Sequence, residues 1–195
     1  METHFARHAR ETLLNSQQRE LVIGSLLGDA YLMPTTAGYC FRVNHGLQQR
    51  AYVDWKFKLL AQYVRTPPRE SGNCYYFRTV THPEFFSYQK LFYSNGRKII
   101  PVELLYEQFT EFSLAVWLMD DGAIDGKQLR LNTQSFSASE NETLASLLRA
   151  KLGIETRLNR DKDRYRLRIS AASMAQLKSL VEPYVIPSML YKLPL

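Results

Sequence analysis

Two stretches of the chain are apolar almost without interruption and then stop at an acid. Val22-Ile-Gly-Ser-Leu-Leu-Gly-Asp-Ala30 and Leu114-Ala-Val-Trp-Leu-Met-Asp-Asp-Gly122 each predict a buried helix closed by a carboxylate and a small residue. Around the first, Ser16 is placed to cap a helix over Gln17 to Asp29. Tyr31 to Pro34 and Tyr39 to His45 alternate like paired strands about the turn Thr35-Thr36-Ala37-Gly38. Gln48 to Val64 puts Tyr52, Trp55, Leu59, Leu60 and Tyr63 on one helical face, and Pro67-Pro68 breaks it. A hairpin turning at Ser71-Gly72-Asn73 returns through Cys74 to Val80. Pro83 opens a helix ending at Phe92, and Ser94 to Pro101 reads as an irregular basic connection.

The second half repeats this order. Its apolar helix ends at Asp121, Asp125-Gly126 signals a type I′ hairpin, and Gln128 to Gln134 reads as the return strand. Ser137 to Leu152 is a helix with Ser139 and Glu142 spaced as a capping box and Gly153 as its C-cap. Ile154 to Asn159 and Arg164 to Ser170 pair across Arg160-Asp161-Lys162-Asp163, and a last helix covers Ser173 to Val181. Asp29 aligns with Asp121, Phe41-Arg42-Val43-Asn44 with Leu129-Arg130-Leu131-Asn132, and Phe77-Arg78 with Leu167-Arg168. Lys98 and Pro101 align with Lys192 and Pro194. The matches keep their order and nearly their spacing, which is the signature of an internal repeat. The expected fold is α+β: two pseudo-symmetric αββαββα units with antiparallel sheets, joined at the pair of apolar helices. The divisions are a polar, frayed lead-in over 1–15, an N-terminal half over 16–101 and a C-terminal half over 102–195.

A chain of 195 residues that is 45% hydrophobic has material for a substantial core. Its net charge of +6, with a pI near 9.3, favours an anionic partner, although charge alone is a weak signal. Cys40 and Cys74 lack metal spacing and read as reduced thiols. No apolar run approaches the roughly 18 residues of a membrane span, and the lead-in lacks the apolar centre of a secretory signal. A soluble, non-secreted chain in whatever compartment holds its nucleic acid is expected. Phosphate-loop, dinucleotide, zinc and Ser/His/Asp patterns are missing, and His4, His8, His45 and His82 are scattered.

Strands with one buried face alternate, so with Phe41, Val43, Leu129, Leu131, Leu167 and Ile169 inward, Arg42, Asn44, Arg78, Arg130, Asn132, Gln134, Arg166 and Arg168 point out. Arg157 joins them from the neighbouring strand. Arg, Asn and Gln read guanine and adenine edges bidentately in the major groove. One polar strand face is ordinary; four with outward arginines, matched between halves, favour DNA. Asp29 and Asp121 are expected to converge where the two helices meet. Paired carboxylates repel, and the C-terminal pole of a helix disfavours an acid, unless a cation intervenes. Mg²⁺ binds through one or two carboxylates with phosphate oxygens and water. Lys98 and Lys192 would each serve one half-site as an electrostatic stabiliser or a perturbed acid/base. Gly24 and Gly28 permit close helix approach. Asp120 stays open at this level: a second acid near a metal, a buried hydrogen-bonded group, or an exposed neighbour of Asp121.

With these motifs, and with Gly28-Asp-Ala-Tyr31, Leu131-Asn-Thr-Gln-Ser-Phe136 and Met189-Leu-Tyr-Lys-Leu-Pro194, the chain resembles the LAGLIDADG homing endonucleases. It is most similar to the two-motif, single-chain branch typified by the yeast mitochondrial omega-intron endonuclease. The resemblance covers about residues 20–194. It implies saddle-shaped sheets over a long, nearly asymmetric double-stranded DNA site, a monomer, and Mg²⁺-dependent double-strand cleavage across the minor groove leaving 3′ overhangs, with Mn²⁺ able to substitute. It carries the metal acids to Asp29 and Asp121, with backbone help from Gly28 and a part for Asp120, and the active-site lysines to Lys98 and Lys192. The first motif departs from the family pattern at Gly28 and Ala30, the second at Asp120. The alternatives are an RNA-binding group I intron maturase on the same scaffold, with intron RNA as partner, and a non-catalytic DNA-binding regulator.

Overall fold

The lead-in is folded. In the computed structural model, which describes residues 3–126 and 128–193, α1 (His4–Glu11) is capped by the Thr3 side chain and buries Ala9. It is expected to fray only if nothing ties it down, and its C-terminal side is tied at several points. The Tyr63 hydroxyl donates to the Leu13 carbonyl at 3.0 Å, and the Leu14 N–H donates to Glu84 Oε1 at 2.8 Å. Leu14 itself is fully covered.

The first unit follows as α2 (Ser16–Leu27), β1 (Tyr31–Thr35), β2 (Gly38–Gly46), α3 (Arg50–Leu60), β3 (Arg69–Ser71), β4 (Cys74–Arg78) and α4 (Pro83–Phe92). A small hairpin, β5 (Tyr93–Ser94) and β6 (Arg97–Lys98), and α5 (Val102–Gln108) lead to the second unit. That unit comprises α6 (Glu111–Asp121), β7 (Gly122–Asp125), β8 (Gln128–Leu131), α7 (Ala138–Leu152), β9 (Thr156–Asp161), β10 (Arg164–Ile169) and α8 (Met174–Val181). A 3-10 turn over Pro187–Lys192 closes the described chain. The two four-stranded antiparallel sheets have equivalent strand orders, β1-β2-β4-β3 and β7-β8-β10-β9. Among the described residues, no helix is long and apolar enough to cross a membrane.

Several boundaries differ from the expectations, each for a local reason. The cap of α2 is Asn15, because a reciprocal capping box with Gln18 satisfies two otherwise orphaned backbone donors. The helix stops at Leu27 with Gly28 as its C-cap, so Asp29 stands just beyond it. In α7 the capping box is Ser137 with Glu140, two residues before the expected pair, while Gly153 does end the helix in the left-handed region at φ 65°. The basic connection over 94–101 contains an ordered hairpin: Asn95 and Gly96 both have positive φ, which matches a tight turn to the twist of its strands. Strand β8 ends at Leu131, not Gln134, because the chain turns at Thr133, whose N–H donates back to the Leu131 carbonyl at 2.9 Å while its hydroxyl accepts the Leu167 N–H at 3.1 Å.

The core is continuous through both units. Its centre is the contact of α2 with α6, where every residue from Leu21 to Leu27 and from Phe112 to Asp120 is buried. The helices touch backbone to backbone. A Cβ on Gly24 would lie 2.4 Å from the Ser113 carbonyl oxygen and 2.8 Å from Val116 Cβ, a separation no side chain tolerates. The glycines come from α2 alone, while α6 supplies Val116 and Asp120.

Candidate active site and nucleic-acid interface

Close packing of α2 on α6 delivers Asp29 and Asp121 to the same end of the helix pair. The lysines expected beside them are there, in matching roles. Lys98 Nζ donates to the carbonyls of Gly28 and Ala30, both at 2.8 Å. Lys192 Nζ donates to the carbonyls of Gly122, at 2.7 Å, and Asp120, at 3.4 Å. Each lysine thus ties together the peptides immediately before and after one acid, and leaves that acid's carboxyl untouched. Pro194, expected to pair with Pro101 in the repeat, lies outside the described residues.

The electrostatics are those of an uncompensated anionic pair. Burial, followed by the charges of Asp29 and Asp120, pushes the Asp121 carboxyl up to about 8 despite the two lysines. Asp29, whose side chain is 47% exposed, is raised by its partial desolvation and then by Asp120. Burial lowers Lys98, with the three acids pulling the other way. Among the described residues no lysine or arginine ion-pairs with the carboxyl of Asp121 or Asp29. Hard oxygen donors crowded by neighbouring carboxylates, with no direct lysine or arginine ion pair among the described residues, are chemically suited to a divalent cation.

Asp120 is the buried, hydrogen-bonded group among its three possible readings. Its carboxylate accepts from Lys56 Nζ at 2.7 and 3.1 Å, and both side chains have no solvent exposure. It also accepts the Asp29 backbone N–H at 3.3 Å. Gly28 makes room for it: a Cβ there would lie 2.5 Å from Asp120 Cβ and 2.7 Å from its Oδ2. The departures from the motif pattern at positions 28 and 120 are therefore one feature, an enlarged side chain fitted into the space of a missing one. His45 lies 3.7 Å from both the Asp29 and the Asp120 carboxylates, but burial and the nearby Lys56 lower it to about 4, so its imidazole is neutral at neutral pH. Asp29, His45 and Asp120 bring potential ligand atoms within 4.8 Å of one another. Within that cluster Asp120 is already ion-paired to Lys56, whereas Asp29 and Asp121 have no such partner among the described residues. The carbonyls of Gly28 and Asp120 each already accept a lysine.

Sequence reasoning missed Lys56 and His45. A signal existed for the first. Lys56 sits midway between Tyr52 and Leu60 at helical spacing, a cation inside an apolar stripe.

The outward faces of both sheets carry arginines directly opposite one another. Arg42 pairs with Arg78 across β2 and β4, while Arg168 pairs with Arg130 on one side and Arg157 on the other. Like charges in opposed cross-strand positions destabilise a sheet, so these rows cost the free protein and suit an anionic surface. The Arg42 guanidinium carbon lies 4.6 Å from the centre of the Tyr76 ring, with Asn44 in register with Tyr76. Arg166 is shared with Asp161 at 3.4 Å. Asn132 is exposed but off the strand. Gln134 does not continue the face, because it has left the ladder and donates to Asp161 Oδ2 at 2.8 Å.

Known proteins are similar to this chain. A probable intron-encoded endonuclease of Wickerhamomyces canadensis is 31% identical over 93% of this chain and 86% of its own length. A cytochrome b mRNA maturase of Debaryomyces hansenii is 32% identical over 92% of this chain and 74% of its own. Among solved structures, the homing endonuclease I-WcaI bound to its DNA recognition sequence superposes with a TM-score of 0.88 at 28% identity, covering 98% of this chain and 93% of that one. I-DmoI in complex with DNA and Mn, at 14% identity, covers 85% of this chain and 96% of its own with a TM-score of 0.56, a likeness of fold. Residues 19–177 match the model of the LAGLIDADG DNA endonuclease family, and with its paired acids and lysines at the foot of α2 and α6 the chain belongs to that family.

Proposed function

We propose that this chain is a site-specific homing endonuclease that breaks both strands of a long, nearly asymmetric DNA target by metal-dependent hydrolysis. The observation that carries the reading is the two-fold repetition of one acid and one lysine, set between two sheets whose outer faces carry opposed arginines. In this reading the halves 16–101 and 102–195 each supply one acid and one lysine, and a single chain suffices. Asp29 and Asp121 would hold the cation, Mg²⁺ with Mn²⁺ as substitute, with the Gly28 backbone and Asp120 as further candidate donors. Such an ion supplies charge neutralisation at a scissile phosphate and lowers the pKa of an attacking water. Lys98 and Lys192 fix the peptides that flank the acids and keep positive charge beside the developing oxyanions. Cuts spanning the minor groove would leave 3′ overhangs. The deciding assay incubates the protein and Mg²⁺ with duplex covering the uninterrupted host sequence. Two defined cuts are expected, and intact duplex alongside splicing of the intron RNA would favour the maturase reading. The second reading draws on the maturase relative; the nuclease is preferred because RNA binding gains nothing from two uncompensated carboxyls.

Two further outcomes follow from the same groups. Between the ordinary carboxylate value of 3.8 and about 8, folded Asp121 keeps a proton that the unfolded chain has released. Stability of the metal-free protein therefore falls as pH rises through that window. Its melting temperature should decline from about pH 4 to about pH 8 in chelator, and Mg²⁺ should restore it at the alkaline end only. A melting curve insensitive to Mg²⁺ at every pH would remove Asp121 from the metal site. Arg168→Ala, in contrast, should weaken duplex binding and reduce the slope of log affinity against log salt by about 1, with cleavage at saturating protein retained. An unchanged slope would take Arg168 off the DNA.

A further inference from the structure

At the turn end of its β1–β2 hairpin the first sheet carries a basic cavity of about 560 Å³ whose lining includes Arg10, Arg65, Arg69 and Arg78, with Thr35 and Thr81 between them and no acidic residue. The β1–β2 register pairs Met33 with Cys40 and Thr35 with Gly38, so the cavity's Thr35 and Cys40 lie at the turn end of the hairpin, on the same face as Arg42. Tyr31, next to the acids, is at the opposite end. Four residue steps at about 3.3 Å each put the cavity roughly 13 Å farther out along the sheet. It is separate from the acids and on the arginine-bearing face.

Its other wall is α1, which precedes the residues matching the family and is anchored here by this chain's own contacts. Arg10 Nε donates to the Thr81 carbonyl at 3.2 Å, and His82 Nε2 lies 3.0 Å from the Thr12 carbonyl. Arg69 Nε donates to the Tyr76 hydroxyl at 2.7 Å, which holds its guanidinium over the cavity floor. Arg65 and Arg78 are exposed and pair with no acid among the described residues. The guanidiniums of Arg65, Arg69 and Arg78, gathered from three segments around one hollow, repel each other and are brought into balance by an anion, for which phosphate offers the matching fork geometry. A second cavity, beside the other sheet, has Arg97 and Arg164 but also Asp163, and so pulls less on an anion.

We propose that the α1 cavity seats a backbone phosphodiester of the bound duplex, so that α1 and the segment around Arg65 extend the grip of the first sheet at its outer end. The proposal rests on the DNA-endonuclease reading. The test selects a duplex from a randomised pool with the full-length chain, then maps by ethylation interference which phosphates binding requires. Ethylating one outermost phosphate on the N-terminal side should block binding of the unmodified protein. In Arg65→Ala that position should cease to interfere, and the salt slope should fall by about 0.9 for the one lost contact, while Arg65→Lys keeps both the interference and the slope. Arg65 is exposed, so melting temperature should not move. The seat is overturned if Arg65→Ala leaves the interference pattern and slope unchanged, or if inorganic phosphate protects the cavity while no outer DNA phosphate matters. A chain that selects no duplex at all overturns the endonuclease reading together with the seat, whereas normal selection with an unaltered Arg65→Ala footprint overturns the seat alone.

Discussion

Asp29→Asn and Asp121→Asn are each expected to lower double-strand cleavage by about three orders of magnitude or more, the scale of losing a central electrostatic group in a reaction site, while duplex binding persists. Both substitutions keep the shape of the side chain and its place beside the lysine-bridged peptides, so what they remove is charge. For Asp121 the loss of function should come with a gain in stability. Its carboxyl is pushed up to about 8 by burial and by the other two acids, and the amide removes that penalty. At neutral pH and above, without metal, Asp121→Asn should melt higher than the parent, and Mg²⁺ should no longer raise its melting temperature. The two readouts together separate a metal ligand from a structural acid. A variant that melts lower, or that cleaves at the parental rate, would refute the assignment.

Lys56 carries the largest expected stability effect. It is wholly buried against the Asp120 carboxylate, and removing one partner of such a pair strands a charge in the interior. Lys56→Met should cost about 3–5 kcal/mol, which at about 2–4 °C per kcal/mol for a chain of this size is a fall of roughly 6–20 °C. Replacing the whole feature should recover most of it. Lys56→Met with Asp120→Ala and Gly28→Ala removes both charges and fills the space that Asp120 occupied over Gly28. Because Asp120 accepts the Asp29 N–H and gives no equivalent support to Asp121, the triple variant should also slow one strand's cleavage more than the other's. Separate labelling of the two strands reads that split. If Lys56→Met melts within a degree or two of the parent, the pair is not holding the helices, and a triple variant no better than the single one would contradict the space-filling account.

The helix pair, the sheets and their outward arginines were legible because they rest on local pattern. Apolar continuity gives a buried helix, alternation gives a one-sided strand, and an internal repeat puts Asp29 opposite Asp121 and Lys98 opposite Lys192. Errors of one or two residues at caps, as at Asn15 and Ser137, arose where several adjacent polar residues could each satisfy the same backbone donors. The Asn95-Gly96 hairpin had its own signal, but two-residue strands offer too little alternation around it.

What the tertiary structure decided is pairing across long separations. Position 56 meets position 120, and Gly28 clears the space for that meeting, so the departure from the motif at Asp120 became intelligible only with both partners in view. Likewise the lysines were expected at the acids but found on the carbonyls that flank them, a choice set by a few ångströms of side-chain reach. A polar lead-in became a packed helix because its partners, Tyr63, Thr81, His82 and Glu84, lie more than forty residues ahead of it. By itself the sequence determined which residues form the elements and which acids and lysines are equivalent, since both follow from periodicity and repeat. Only folding determined which charges neutralise each other, because that depends on contacts between positions whose spacing carries no pattern.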